Sequence, residues 1–197
     1  MEEYTPDFDQ LLFWIGYGGS AFKKVYYDFD KQRMVSKLIT PDDLYIPYKG
    51  SSVMSECARI THRVPMSIND YKKAVLRGQY LDSAQASVPA ELPQSTIQKE
   101  VDRVIGIQPT TEPEEVSLLE FQVDMDLQGF EDKDEDGNPT GIRLPYIVTI
   151  DEVTQACIGV RRNWKEGDKL YARKQYYVHY LLVQGPGAYG LGFLHLI

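Results

Sequence analysis

From Leu119 to Gln128, apolar and polar side chains alternate without a break. Leu119, Phe121, Val123, Met125 and Leu127 fall on one side, and Glu120, Gln122, Asp124, Asp126 and Gln128 on the other. Successive strand side chains point to opposite faces of a sheet, so this period of two predicts a strand buried on one face and wet on the other. An acidic, Gly-flanked turn follows from Gly129 to Gly141, then a second strand-like run from Leu144 to Asp151. The chain is therefore committed to a fold containing antiparallel sheet.

The rest of the chain adds short helices and more hairpins. Thr5 is an N-cap candidate, with Pro6 at the first helical position and Asp7 and Asp9 in the first turn, which predicts a helix from Asp7 to about Ile15 ending at Gly16. Val25, Tyr27 and Phe29 alternate with Lys24, Tyr26 and Asp28 in a first strand. Asp30 to Arg33 is its turn, and Val35 to Ile39 returns antiparallel. Leu44 to Tyr48 and Ile60 to Val64 are further short strands, and Pro47 and Pro65 place them at edges or ends. Ser67 with Asp70 three residues on predicts a capped helix, Met66 and Tyr71 form its hydrophobic staple, and Gly78 stops it. From Asp82 to Pro93 the composition turns to Ser, Ala, Gln and Pro, a linker. Ser95 then caps a helix with an apolar stripe of Ile97, Val101, Val104 and Ile105, ended by Gly106, and a second linker runs from Pro109 to Glu115. Gln175 to Val183 is apolar on both faces, which predicts a strand that is central or covered on each side. The sum is an α+β fold of mostly antiparallel strands and hairpins with about three short helices.

Composition sets broad limits. With 197 residues, of which 43% are hydrophobic, one domain or two small ones can bury roughly 70% of the unfolded surface. No apolar run approaches the roughly 20 residues of a membrane span, and Met-Glu-Glu-Tyr lacks the features of a signal peptide. Cys57 and Cys157 are expected as thiols, since nothing else in the chain suggests secretion. The net charge of −8 argues against a segment that grips DNA, because such affinity comes from Lys and Arg displacing counterions from phosphates. Lys23-Lys24, Lys72-Lys73 and Arg161-Arg162 are basic pairs and form no stripe.

Several constellations tempt a ligand reading. Asp132, Asp134 and Asp136 before Gly137 copy the opening of a calcium-binding EF-hand loop. The eighth position, however, is Pro139 and the twelfth Arg143, where the loop needs an aliphatic residue and a bidentate glutamate. A solvated turn is the expected reading. Gly185, Gly187 and Gly190 satisfy the dinucleotide pattern G-x-G-x-x-G after a strand, but Pro186 removes a backbone donor and no obvious helix follows. A flexible connector is expected there. His62, His179 and His195 are widely spaced, which disfavours zinc, and His179 sits within an apolar strand as an expected hydrogen-bonded core residue. Ser20, Ser51 and Ser52 lie in no nucleophile-elbow context, and the 14 tyrosines are expected to pack across strands. No catalytic residue, cofactor or metal ligand stands out.

The blocks of this chain carry a resemblance. Phe22-Lys-Lys-Val-Tyr26, Asp42-Asp-Leu-Tyr-Ile-Pro-Tyr48, Ala58-Arg-Ile-Thr-His-Arg63, the run from Leu119 through the acidic turn to Leu144-Pro-Tyr-Ile-Val-Thr-Ile-Asp151, Arg161-Arg-Asn-Trp-Lys165 and Gly187-Ala-Tyr-Gly-Leu-Gly-Phe-Leu-His-Leu196 follow one another. In that order they resemble the portal proteins of tailed bacteriophages, specifically the short-tailed type. The stretch from about Asp82 to Val116 matches no part of the pattern. The resemblance implies the peripheral body called the wing: residues 1–81 as its N-terminal α+β part, 82–115 as a variable linker with one short helix, and 116–197 as a β-rich meander leading toward the stem.

The same resemblance implies a closed ring of about twelve copies at one capsid vertex, with heterologous contacts between neighbours. It implies partners in terminase, capsid or scaffold and tail proteins, and phage DNA passing through the channel. It also implies location in the virion and, during assembly, the host cytoplasm, with no enzyme activity, cofactor or membrane. Both ends read as cut, and portal proteins are much longer, so a fragment is expected. Arg59, His62 and Arg63, with Arg161, Arg162 and Trp164, are the residues expected to meet a neighbour's acids. Two alternatives stay open: a calcium-dependent hydrolase built on Asp132 to Asp136, and a generic β-rich interaction module.

Overall fold

A glycine that no other residue could replace separates the first helix from the first strand. In the computed structural model, which describes residues 4–28, 31–47, 51–81, 115–134 and 136–197, helix α1 spans Tyr4–Gly18. It passes through Gly16 and stops at Gly19, whose φ is +82°, with the Gly19 N–H bonded to the Ile15 carbonyl at 3.0 Å. The predicted stop at Gly16 is thus two residues early. Glycine permits a helix to end but does not oblige it, and the positive φ falls at Gly19. Thr5 lies inside the helix and is not its cap. Pro6 stays within the first turn, where its missing N–H would have had no helical partner.

Strand β1 (Ser20–Asp28) pairs antiparallel with β2 (Arg33–Ile39) in a register running from Phe22 opposite Ile39 to Asp28 opposite Arg33. The predicted hairpin is therefore present; Phe29 and Asp30 lie outside the described residues. The other side of β1 pairs antiparallel with β8 (Tyr177–Leu181), Phe22 facing His179. The sheet order β2-β1-β8 makes β8 an edge strand. Val178 and Tyr180 on it are exposed. The expectation of a strand covered on both faces is corrected: local apolarity does not report how many neighbours a strand acquires.

A five-stranded sheet runs β3-β4-β5-β6-β7, with β3 at Leu44–Tyr45, β4 at Arg59–Ser67, β5 at Glu115–Met125, β6 at Leu144–Asp151 and β7 at Cys157–Arg162. β3 is shorter than predicted and pairs only with Thr61 and His62 of β4. Pro65 lies inside β4 beyond that contact, so its missing N–H interrupts no bond to β3. β5 is central, and its expected polarity is reversed over its first half, while Asp124 and Asp126 are exposed and Met125 is half-buried as the alternation predicts. Val116, Leu118, Glu120 and Gln122 are the buried positions, Glu120 5% and Gln122 0% exposed, while Leu119, Phe121 and Val123 are half-buried. Alternation established two faces; it did not establish which one the sheet's neighbours cover.

Helix α2 (Ile68–Leu76) follows its sequence signals closely. The Ser67 hydroxyl accepts the Asp70 N–H at 3.1 Å and donates to the Asp70 carboxylate at 2.9 Å. That second bond, with Lys73 alongside, holds the Asp70 carboxyl below its ordinary range. At the other end the Gly78 N–H bonds Val75 O at 2.9 Å and the Gln79 N–H bonds Ala74 O at 3.0 Å, a Schellman ending with Gly78 at φ +70°. Two-residue strands β9 (Val183–Gln184) and β10 (Gly190–Leu191) pair near the end, before helix α3 (Phe193–Leu196). The predicted helix from Ser95 and both linkers lie outside the described residues, except Glu115, which opens β5.

The chain forms two compact units, each assembled from separated stretches. The first comprises Met1–His62, Phe121–Ile147 and Arg162–Ile197. Its core gathers Phe22, Ile39, Leu44, Ile46, Met54, Ile60 and Tyr177. The second comprises Arg63–Glu120 and Val148–Arg161. Its core gathers Tyr71, Val116, Leu118 and Ile158, with Met66 packed against them as the staple predicted.

Candidate functional site

The acidic turn uses its carboxylates on its own backbone. Asp134 accepts the Asp136 and Asn138 N–H groups at 3.1 and 2.8 Å, and Gly137 turns the chain at φ +83°. Asp132 accepts the Tyr171 hydroxyl at 2.7 Å and the Thr140 hydroxyl at 2.8 Å, bonds that hold its carboxyl below the ordinary range and push the Tyr171 phenol up. Tyr171 in turn meets Trp164 edge-on at 5.6 Å, and Trp164 meets Tyr146 at 5.3 Å. Tyr146 reaches back to the Phe130 carbonyl. The hairpin is thereby tied down at both ends. Among the described residues no three His, Cys, Asp or Glu side chains group so as to hold a metal ion.

The glycine passage is a packed crossing, not the flexible connector expected from sequence. A Cβ on Gly190 would lie 2.3 Å from Gly19 O, and one on Gly192 would lie 2.3 Å from Tyr17 O. One on Gly185 would lie 2.5 Å from Tyr189 O. Three amides of the passage are engaged: Gly190 N–H on the Ser20 hydroxyl at 2.6 Å, Gly192 N–H on His195 Nδ1 at 3.2 Å, and Gly185 N–H on Tyr189 O at 3.2 Å. These glycines exist so that two backbones can touch.

The cations expected to reach a neighbour are mostly held within the chain. In the second unit Arg63 makes a bidentate pair with Glu152, at 2.6 and 3.0 Å, and Ser117 donates to the same carboxylate. Arg161 pairs with Glu120 at 3.0 Å. In the first unit Arg162 lies over the Trp164 ring at 5.7 Å, and His62 is buried edge-on to Tyr177. Arg59 and Arg162 are both exposed with no ion pair among the described residues. His179 is stacked on Phe22 at 4.6 Å. Its Nε2 is buried without a hydrogen-bond partner among the described residues, which corrects the expected hydrogen-bonded core histidine. Cys57 is a buried thiol whose pKa burial raises, and Cys157 is an exposed one.

The Glu152 node gives a direct test. Arg63 and then Ser117 lower the Glu152 pKa in the folded chain, so the stabilisation is present above its unfolded value of about 4.5 and is lost as pH falls through the folded value. Glu152→Gln removes the charge, and the expected loss is about 1–2 kcal/mol at pH 7, shrinking as pH falls below 4. Urea unfolding at pH 7 and pH 3.5 measures it; an equal loss at both would remove the charge from the account.

No family model matches the chain, and no curated protein matches it.

Two features escaped the sequence reading. An open cleft of about 510 Å³ in the first unit is lined by Arg143 and Arg173, Glu56 and Asp124, and the exposed aliphatics Ile142 and Leu170. Arg173 is nearly buried, bonded to Asp124 at 2.8 Å and to the Cys57 carbonyl at 2.7 Å. With two cations beside two anions the cleft has no net sign to select a charged ligand. No histidine lines it among the described residues. Its polar floor depends on residues 124 and 173 meeting across the fold, which no local pattern announces.

Proposed function

We propose that this chain is part of a portal subunit, working as a structural wall and docking body of the ring through which a phage genome enters and leaves its capsid. The observation that carries the reading is the series of sequence blocks in family order, from Phe22 to Leu196. The architecture lends it support by assigning those blocks structural work. Phe22 to Tyr26 lies in β1, Leu144 to Asp151 is β6, Arg161 and Arg162 close β7, and the Gly187 to Leu196 block forms the backbone crossing. Asp132, Asp134 and the amides of Gly185, Gly190 and Gly192 are engaged in hydrogen bonds that hold turns and crossings.

In this reading the chain has no bond to break or make. Its contribution is mechanical: a rigid, acidic body that resists deformation and does not hold the passing nucleic acid. Each phosphate contact to a cation would have to be broken again as the genome moves. Terminase, capsid or scaffold and tail proteins are the partners proposed, with further copies of the chain beside it.

Negative-stain electron microscopy of the protein expressed from its complete reading frame tests the proposal. Rings with a central hole are the expected result. Homogeneous monomers, at concentrations where a ring should assemble, would refute it and return the enzyme and binding-module alternatives.

A further inference from the structure

We propose that Gln122 and Asn163 together hold ordered water inside the first unit, behind the floor of the cleft. Gln122 lies on β5 and Asn163 directly after β7, and both are 0% exposed. The side-chain nitrogen and oxygen of each have no hydrogen-bond partner among the described residues. Leaving such atoms unpaired in an interior costs more than an ordinary hydrogen bond returns, so folded chains almost always satisfy them.

The backbone brings the two amides to one place. Strand side chains alternate, so Gln122 shares a face of β5 with Asp124. Asp124 pairs with Arg173 at 2.8 Å. The next residue, Lys174, donates its N–H to the Asn163 carbonyl at 2.9 Å, and the Asn163 N–H bonds Pro145 O at 2.9 Å. Arg173 and Lys174 therefore close over that end of β5 and over Asn163 in one stroke. Asp124, Pro145 and Arg173 also line the cleft, which puts the buried amides next to groups that meet solvent.

The chemistry of the four atoms selects the occupant. The backbone N–H and carbonyl of Asn163 are already engaged, so its unmet demand comes from the side chain. Each carboxamide carries two N–H donors and an acceptor oxygen, so whatever lies against it must both accept and donate. A metal cation would suit the oxygens and be repelled by the NH2 groups, and an anion would meet the reverse. Water does both, fits a packed interior, and needs about two to four polar partners, which a pair of amides supplies. Held there, it is part of the core and fixes the rotamers of both side chains.

A density map at a resolution that shows ordered water, from the protein expressed from its complete reading frame, tests the proposal. A peak within about 2.7–3.2 Å of both carboxamides, or a short chain of peaks joining them, is the expected result. Carboxamides turned so as to bond each other or further side chains, with no peak between them, would overturn it. A peak at the shorter distances of a cation, about 2.0–2.6 Å from oxygen, would overturn it as well. Urea midpoints of Gln122→Met, Asn163→Leu and the double variant give an independent reading. If both amides hold the same water, the first substitution already loses it, so the double variant's shift is expected to be clearly smaller than the two single shifts added together. Shifts that add would mean that the amides hold nothing in common, and would also count against the proposal.

Discussion

Gly19→Ala is expected to leave little folded protein at temperatures where the unsubstituted chain is intact. Two effects add at this position. The residue sits at φ +82°, which costs an L-residue about 1–2 kcal/mol. The new Cβ would also lie 2.2 Å from Gly192 N and from Leu191 C, both backbone atoms that no rotamer change can move aside. Separating the two strands of the crossing also disturbs the neighbouring bonds from Gly190 N–H to Ser20 and from Leu182 N–H to Gly19 O. Together a loss of about 3–5 kcal/mol is expected, which is a large part of the stability of a domain this size. Gly78→Ala is the control. Its φ is +70° but its Cβ would meet nothing within 4 Å, so only the conformational term of about 1 kcal/mol remains. Urea midpoints followed by circular dichroism measure both, and equal losses would show that the crossing is not tightly packed.

Phe22→Ala is expected to be comparably damaging for a different reason. Phe22 is fully buried in the first unit, stacked on His179 and edge-on to Tyr189 at 6.2 Å. Truncating a ring in such a place removes its transfer free energy and leaves a cavity, about 3–5 kcal/mol in all, whereas Phe22→Leu should lose only about 1 kcal/mol. The ring also keeps water from His179, and burial lowers that histidine below its ordinary value near 6.5. Between the folded and unfolded values the unfolded chain binds more protons, so stability falls as pH drops below about 6.5. Opening the Phe22 site should let the His179 value rise toward 6.5 and weaken this acid sensitivity. An NMR titration of the His179 ring in Phe22→Leu, which stays folded, reads the change. An unaltered titration would mean that the ring does not shield the histidine.

The signals the sequence carried reliably were those whose cause is local. Ser67 and Asp70 cap α2 because the hydroxyl and carboxylate reach neighbours three residues away, and Gly78 ends it because its own φ must be positive. The hairpin of β1 and β2 and the acidic turn at Asp134 to Asn138 follow from short-range geometry in the same way. The proposal of a portal subunit likewise rests on sequence blocks alone, from Phe22 to Leu196.

What only the tertiary structure decided are the relations between distant residues. The alternation in β5 marked two faces, but Glu120 and Gln122 of the polar one are buried because β5 is central and Glu120 meets Arg161, 41 residues away, while Asp124 and Asp126 stay exposed. β8 looked like an interior strand and became an edge because, among the described residues, β1 alone pairs with it. Gly185 to Gly192 looked like a loose connector and is a packed crossing because Tyr17 and Gly19 lie against it from the far end of the chain. Arg63 and Arg161 looked available and are held by Glu152 and Glu120. Periodicity, caps and turns act over a few residues and are written in consecutive letters. Which face is covered, which edge is left and which charge is taken depend on chain segments that meet only after folding.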